Sequence, residues 1–244
     1  MVVFGVDIAR MGEDKTVVAV REDTTIVALY KWGSADTMET VGRIHPLLRR
    51  HKPDRVVVDL IGIGSGVYDR LREQEQAGEI QARILPFNAG AGCDRTDVTG
   101  EMRFANMRAY AWWNLRTLLQ PWNPDPLLLP DDNDLIRELT APKFKQTSGG
   151  KILIDSKDDI RKVLGRSTDV ADAVVMAFLD LDPSSFEDAY AVYTDAEVKK
   201  MQREAYPAAV KQEPTYDEMV VQWRKEEEEK LWKDGTSVHA LDWF

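Results

Sequence analysis

The spacing of apolar residues predicts three strands at the start of the chain. An apolar run over 2–8 is typical of a buried strand. The segments 15–21 and 25–31 are rich in β-branched residues, and the Glu22-Asp23 pair between them suits a tight turn. We therefore expect these strands to pair as an antiparallel meander.

Helical and strand-like patterns alternate after the meander. The predicted order is a helix over 34–51, a strand over 55–59, a glycine-rich turn over 62–66, a helix over 67–76 and a strand over 80–87. Strands that are separated by helices can pair in parallel. The predicted fold class is therefore α/β, with a mixed sheet of three antiparallel strands and then parallel strands, and helices on both faces.

The next hundred residues predict more helices and a hairpin. A loop is expected over 88–99, where Gly, Asp and Thr are frequent. The predicted order is then a helix over 101–119, a helix over 131–139, a β-hairpin with arms over 142–146 and 151–155, and a final helix over 167–181. The segment 161–165 is expected to connect the hairpin to that helix.

A change of composition marks a domain boundary near Asp182-Pro183. Residues 1–182 form the predicted folded domain, and residues 183–244 form a polar, acidic tail with a net charge of −6. We expect helical stretches near 195–206 and 215–233 in a tail that packs loosely.

Composition narrows the class of protein. The net charge of −10 argues against a protein that coats nucleic acid by bulk electrostatic attraction. A single cysteine excludes an internal disulfide and, with only three histidines, argues against a thiolate zinc site. No apolar run reaches the roughly 20 residues that cross a bilayer, so we expect no membrane partner and a cytoplasmic location.

Aspartates stand at the ends of the predicted elements. Asp7 and Asp59 each follow an apolar strand, and the carboxyl ends of parallel strands meet at one edge of a sheet. Asp169 and Asp172 are three residues apart on one face of the final helix. Asp7, Asp59 and Asp169 each have a simpler explanation when taken alone, because an aspartate caps turns and suits the first turn of a helix. This explains Asp172 less well, because the residues that follow it are apolar on nearly every side.

Taken together, the aspartates indicate a metal site. Two carboxylates about 4 Å apart repel by roughly 4 kcal/mol at an effective dielectric constant near 20, so a fold that collects several of them needs a cation. Oxygen ligands favour Mg²⁺ or Mn²⁺. A pair of such ions can activate a water and stabilise the leaving oxygen of a phosphodiester. We therefore predict two Mg²⁺ or Mn²⁺ ions as the cofactor.

The order of these motifs resembles the C-terminal nuclease domain of bacteriophage terminase large subunits. The resemblance covers about residues 2–182 and is carried by Gly5-Val6-Asp7-Ile8-Ala9, by Asp59 with its glycine-rich turn, by Phe104–Ala109 with Trp112, and by Ser167–Ala173. It implies an RNase H-like fold and a two-metal endonuclease that cuts concatemeric double-stranded DNA with little sequence preference.

The resemblance also implies roles for individual residues. Asp7, Asp59 and Asp169 match the catalytic, metal-binding acids, and Asp172 is a fourth or supporting ligand. The choice between the last two is open, and we favour Asp169 because it lies nearer the end of the helix and the mouth of the sheet. The expected setting is the cytoplasm of an infected host, with a portal protein and a small terminase subunit as partners in the complete motor. The chain has no P-loop, so we expect no ATP hydrolysis.

Basic residues near the predicted hairpin are candidate DNA contacts. They are Lys143, Lys145, Lys151, Lys157 and Arg161. Any one of them is explained equally well as part of a solvated surface. The adjacent Trp112 and Trp113 are predicted to serve core packing.

Three alternative functions stay open. Holliday-junction resolvases and transposases share the predicted architecture, and a preference for four-way junctions would identify them. A nucleotide-binding domain of the actin and sugar-kinase type would form a tight, Mg²⁺-dependent complex with ATP. A non-enzymatic docking module would use the acidic tail to bind another packaging protein.

Overall fold

The first three strands form the predicted antiparallel meander. The computed structural model describes residues 1–9, 14–33 and 35–181. Strand β1 spans Val2–Asp7, β2 spans Thr16–Glu22 and β3 spans Thr25–Trp32. Strand β2 pairs with β1 on one side and with β3 on the other, both times antiparallel.

Two parallel strands complete the sheet. Strand β4 spans Arg55–Asp59 and pairs in parallel with β1, and β5 spans Arg83–Phe87 and pairs in parallel with β4. The spatial order is β3-β2-β1-β4-β5. Strands β1 and β4 are therefore neighbours, and the ladder between them ends at Val6 and Val58. The next residue on each strand is an aspartate.

Helices cover both faces, as predicted. Helix α1 spans Thr37–His51 and α2 spans Gly64–Gln76, and both pack on the face that carries Phe4 and Val56. The opposite face carries Val3 and Val57 and packs against three other helices. These are α3 over Met107–Leu118, α4 over Asn133–Thr140 and α6 over Asp169–Ala177. Successive residues of each strand point to opposite faces of the sheet and thus contribute to two separate hydrophobic cores.

The added hairpin is also present. Strand β6 spans Phe144–Gln146, β7 spans Ile152–Ile154, and the two pair as a separate antiparallel sheet. An isolated bridge joins Phe104 to Ile152, so the hairpin is attached to the segment that precedes α3.

Helix α5 is the main error of the sequence-based prediction. It spans Lys157–Leu164, where a connection was expected. The start signal is nevertheless present, because Ser156 caps the helix by accepting a hydrogen bond from the Asp159 amide. The stop signal is Gly165, which takes the left-handed conformation with φ of 76°.

Several predicted boundaries were also wrong. Helix α2 takes in part of the glycine-rich turn by beginning at Gly64, and α3 begins at Met107 behind the cap residue Asn106. Strand β5 begins three residues late, and α6 is shorter than 167–181 at both ends. The predicted tail over 183–244 lies outside the described residues, so its boundary and its helices stay predictions. No helix within the described ranges has the length and apolarity that crossing a membrane requires.

Helix α6 packs directly on the backbone of β1. A Cβ atom on Gly5 would lie 2.0 Å from the carbonyl oxygen of Ala173 and 2.5 Å from the amide nitrogen of Ala177. Only glycine permits this approach. The close packing sets the first turn of α6 beside the carboxyl end of β1.

Candidate metal centre

Three acids converge from distant parts of the chain. Asp7 ends β1, Asp59 ends the neighbouring strand β4, and Asp172 lies in the first turn of α6. All three are buried, with relative exposures of 4%, 6% and 8%. Burial of an ionised carboxylate is costly unless it is paired, so this group requires positive charge.

The ammonium of Lys157 supplies part of that charge. Its Nζ lies 3.3 Å from Asp172 Oδ2, 3.8 Å from Asp59 Oδ2 and 4.0 Å from Asp7 Oδ1. A lysine in the first turn of a helix opposes the helix dipole, so the position of Lys157 on α5 reflects its attraction to the acids. The pKa of Lys157 is raised, chiefly by Asp172, and the group is fully protonated at neutral pH.

Asp172 is held by two further donors. Its Oδ1 accepts a hydrogen bond of 3.0 Å from Trp112 Nε1, and its Oδ2 accepts one of 2.8 Å from Thr168 Oγ1. Burial raises the pKa of this carboxyl, but Lys157, Arg108 and these hydrogen bonds outweigh burial and lower it overall. Asp172 is therefore ionised and fixed in orientation.

Trp112 has a role that the sequence-based prediction missed. It packs in the core, as expected, but its indole nitrogen also reaches the acid cluster. The guanidinium carbon of Arg108, one helical turn earlier, lies 5.5 Å from the centre of the Trp112 ring. The apolar pattern of α3 predicts burial of this residue and carries no signal for the distant acid that its nitrogen meets.

Asp7 and Asp59 are only partly compensated by Lys157. Burial raises the pKa of Asp7 well above its usual value, and the charges of Asp172, Asp59 and Asp169 add to the effect. Burial also raises the pKa of Asp59, against the lowering effect of Lys157 and of the Ile61 amide. The single charge of Lys157 is thus too little for the group, and a further cation would relieve it.

Asp169 lies at the edge of this cluster. Its Oδ2 accepts a hydrogen bond of 2.8 Å from the Lys15 amide. It lines a cleft of about 190 Å³ together with Asp7, Asp14 and Asp59. Asp172 joins the other two acids at Lys157, whereas Asp169 joins them in lining the cleft. The preference for Asp169 as the primary ligand therefore stays a prediction.

The residues suit an oxygen-coordinated cation but are not yet arranged around one. Within the described ranges, no three acidic, histidine or cysteine side chains form a ready metal-binding set. The acids instead surround an ammonium at 3.3–4.0 Å, whereas Mg²⁺ and Ca²⁺ bind oxygen at roughly 2.0–2.6 Å. The donor set fits Mg²⁺ or Mn²⁺ in kind, and binding requires Lys157 to leave and the acids to close in.

The predicted DNA contacts fall into two groups. Lys143, Lys145 and Lys151 are exposed on or beside the hairpin arms. Lys157 lies among the acids, and Arg161 binds both carboxylate oxygens of Asp14 at 2.7 and 2.8 Å beside the cleft. The structure therefore gives Lys157 a different setting from the surface contact that was predicted.

An aromatic contact fixes the position of the hairpin. The ring of Phe144 meets that of Trp113 edge-on, with centroids 5.1 Å apart. The guanidinium of Arg116 stacks on the same Trp113 ring at 4.7 Å. The lysine-bearing arms are thus attached to α3, the helix that also holds Asp172 through Trp112.

The structure of this chain matches solved structures, whereas two comparisons by sequence find no match. No protein-family model and no curated protein matches it. The nuclease domain of the large terminase subunit gp2 of bacterial virus Sf6 does match, with a TM-score of 0.63 and 20% identity over 74% of this chain and 89% of its own. The described domain has the fold of a phage terminase nuclease domain.

Two further structures of terminase nuclease domains carry metal ions. A variant of the Sf6 domain with manganese matches with a TM-score of 0.61 and 20% identity, over 74% of this chain and 88% of its own. The large terminase nuclease of the thermophilic phage G20c with bound magnesium gives a TM-score of 0.50 and 18% identity, over 73% and 80%. The RNase H-like fold predicted from the sequence is thereby confirmed. At these identities the likeness concerns the fold, and the chemistry has to be argued from the site.

Proposed function

We propose that this domain is the metal-dependent DNA endonuclease of a phage packaging terminase. The observation that carries the proposal is the meeting of Asp7, Asp59 and Asp172 around one cationic group at the carboxyl ends of β1 and β4. Ligands of open α/β sheets bind at this edge. The solved terminase nuclease domains with manganese and magnesium support the same choice of cofactor.

The acids divide into a fixed and an adjustable part. Asp172, held by Trp112 and Thr168, would be the fixed ligand. Asp7 and Asp59, whose pKa values burial raises, would be the ligands that a bound dication stabilises in the ionised form. Asp169 at the edge of the cleft is the fourth ligand of a two-ion site. Bound Mg²⁺ or Mn²⁺ would activate the attacking water and stabilise the leaving oxygen.

The basic residues near the cleft suit a phosphate backbone. Arg161 lines the cleft, and three exposed lysines lie on or beside the hairpin that α3 anchors. Contacts to phosphates position a duplex and carry no sequence information. We therefore propose cleavage of concatemeric double-stranded DNA with little sequence preference. The complete motor would add a portal protein and a small terminase subunit in the cytoplasm of the infected host.

Cleavage of supercoiled plasmid tests the function directly. We expect the protein to nick and linearise plasmid in Mn²⁺ or Mg²⁺ and to lose this activity in EDTA. A parallel assay with a four-way junction and a linear duplex of equal length separates the proposal from a resolvase. Strong preference for the junction, or tight Mg²⁺-dependent binding of ATP without cleavage, would contradict the proposal.

Lys157 is predicted to compete with the metal. In K157A the acids lose their counter-charge. We therefore expect the free energy of unfolding of the metal-free protein to fall by about 2–3 kcal/mol, which lowers the melting temperature by roughly 4–12 °C. The expected loss is smaller than for a fully buried pair because the Lys157 side chain is 40% exposed. Saturating Mn²⁺ should restore the melting temperature, and Mn²⁺ should bind about tenfold more tightly.

The matched control for this prediction is K162A. Lys162 lies on the same helix, is 75% exposed and, among the described residues, forms an ion pair only with Asp159 across one turn. We expect its melting temperature and its Mn²⁺ affinity to equal those of the wild type. A K157A protein whose melting temperature does not respond to Mn²⁺ would show that Lys157 does not occupy the metal position. Differential scanning fluorimetry and isothermal titration calorimetry give the two readouts.

A further inference from the structure

The amino end of α6 lacks a cap from its own N-cap residue. The N-cap residues Asp36, Asn106, Asp132 and Ser156 each accept a hydrogen bond from an amide of the helix that they begin. Thr168 is the N-cap residue of α6, and its side chain makes no such bond. Its hydroxyl instead donates to Asp172. The first-turn amides of α6 therefore need another acceptor.

Glu138 supplies that acceptor from another helix. It lies on α4, is only 2% exposed, and its Oε2 accepts a hydrogen bond of 2.9 Å from the Ala171 amide. Burial raises the pKa of this carboxyl to about 7, against the lowering effect of the Ala171 amide, Arg166 and the Val170 amide. The other oxygen, Oε1, lies 3.1 Å from Arg166 Nη2. A buried glutamate that accepts from a helix amide and pairs with an arginine is an anchor between two elements.

The position of this anchor gives it a role beyond packing. Ala171 directly precedes Asp172, and Val170 directly follows Asp169, so Glu138 binds the turn that carries both acids. Resting on the proposed function, we propose that Glu138 is a positioning residue that holds the metal-binding turn of α6 from outside the metal centre. Thr168 orients the side chain of Asp172, and Glu138 holds the backbone of the preceding residue, Ala171. No direct contact of Glu138 with a metal ion or with DNA is required.

The chain contains a matched control in Glu75. Its Oε2 accepts a hydrogen bond of 3.0 Å from the Ile84 amide, and its carboxylate pairs with Arg72 and Arg83. Glu75 thus joins a helix to a neighbouring backbone with an arginine partner, as Glu138 does, but it connects α2 to β5 away from the acids. Substitution of either glutamate removes an anchor of the same kind.

The experiment compares E138A and E75A by melting temperature and by Mn²⁺ affinity. We expect both variants to melt below the wild type in EDTA. Only E138A should also bind Mn²⁺ more weakly, by roughly 10–100-fold, which is the range for residues that orient metal ligands from outside. Unchanged Mn²⁺ affinity in a folded E138A protein would overturn the proposal, as would an equal loss of affinity in E75A.

Two further measurements keep the outcome decisive. If E138A does not fold, E138Q takes its place. The glutamine retains an acceptor oxygen, so the Mn²⁺ affinity of E138Q should stay within about tenfold of the wild type. Hydrogen exchange of metal-free E138Q should be faster at Val170 and Ala171 and unchanged in β1, which tests the anchor without any ion. A wild-type protein that binds no Mn²⁺ would refute the proposed function, whereas unchanged exchange would refute the anchor.

Discussion

The D7N variant is expected to lose DNA cleavage and yet melt at a higher temperature than the wild type when metal is absent. Asp7 lies at the centre of the acid cluster, and loss of one metal ligand should reduce the cleavage rate by about 100-fold or more. Its charge is only partly compensated in the folded protein, since burial and three neighbouring acids outweigh Lys157 and raise its pKa. Removal of that charge should raise the melting temperature in EDTA, by about 2–4 °C for each kcal/mol gained in the free energy of unfolding.

The gain in stability should depend on pH in a defined direction. The pKa of Asp7 is higher in the folded state than in the unfolded state, so the unfolded chain ionises first as the pH rises. Wild-type stability therefore falls as the pH rises above the ordinary aspartate value near 3.9, and D7N escapes that loss. The difference in melting temperature between D7N and the wild type should grow from pH 4 to pH 8.

A conservative change far from the cluster serves as the control for D7N. Asp69 is exposed on α2, so D69N should cleave plasmid at the wild-type rate and show the wild-type pH dependence of melting. Cleavage by D7N at more than a tenth of the wild-type rate would contradict the role of Asp7. A lower melting temperature for D7N in EDTA at pH 8 would contradict the account of its charge.

The G5A variant should be the most destabilised single substitution in the sheet. The added methyl would lie 2.0 Å from the Ala173 carbonyl oxygen, and backbone on both sides leaves nothing that can rotate away. Helix α6 would have to move off β1, at a cost of about 3 kcal/mol or more. We expect the melting temperature to fall by roughly 6–12 °C and cleavage to fall with it, because α6 carries Asp172.

Gly42 provides the opposite case. It lies exposed in α1, and a methyl group there would meet nothing within 4 Å. G42A should therefore be neutral or more stable by about 0.5–1 kcal/mol, because alanine favours a helix more than glycine does. Circular dichroism melting curves of the two variants test both expectations. A G5A protein as stable as the wild type would mean that α6 and β1 are not in such close contact.

Almost all of the sheet can be predicted from the sequence. Strand β4 begins and ends at the predicted residues, because a short run of valines between a proline and a glycine-rich turn leaves little alternative. The meander and the hairpin were also predicted, and each rests on local turn chemistry. The position of Asp7 and Asp59 at neighbouring strand ends follows from the same reasoning, since parallel neighbours share an edge.

The rest of the site depends on contacts that no local pattern encodes. Lys157 was classed as a surface residue because the charge pattern of α5 does not show which acids its side chain reaches. Trp112 and Glu138 were not recognised as partners of the α6 turn, because their partners lie 60 and 33 residues away. The choice between Asp169 and Asp172 depends on the rotation of α6 against β1, which the Gly5 contact sets.

The acids at the edge of the sheet come from both ends of the domain, so they leave the ribosome at different times. Asp7 and Asp59 emerge early, whereas Lys157 and Asp172 follow Asp59 only after about a hundred further residues. A nascent or prematurely terminated polypeptide that stops before α6 carries two of the four acids and cannot assemble the centre. The order of translation thus delays assembly of the acid cluster until the whole domain has been made.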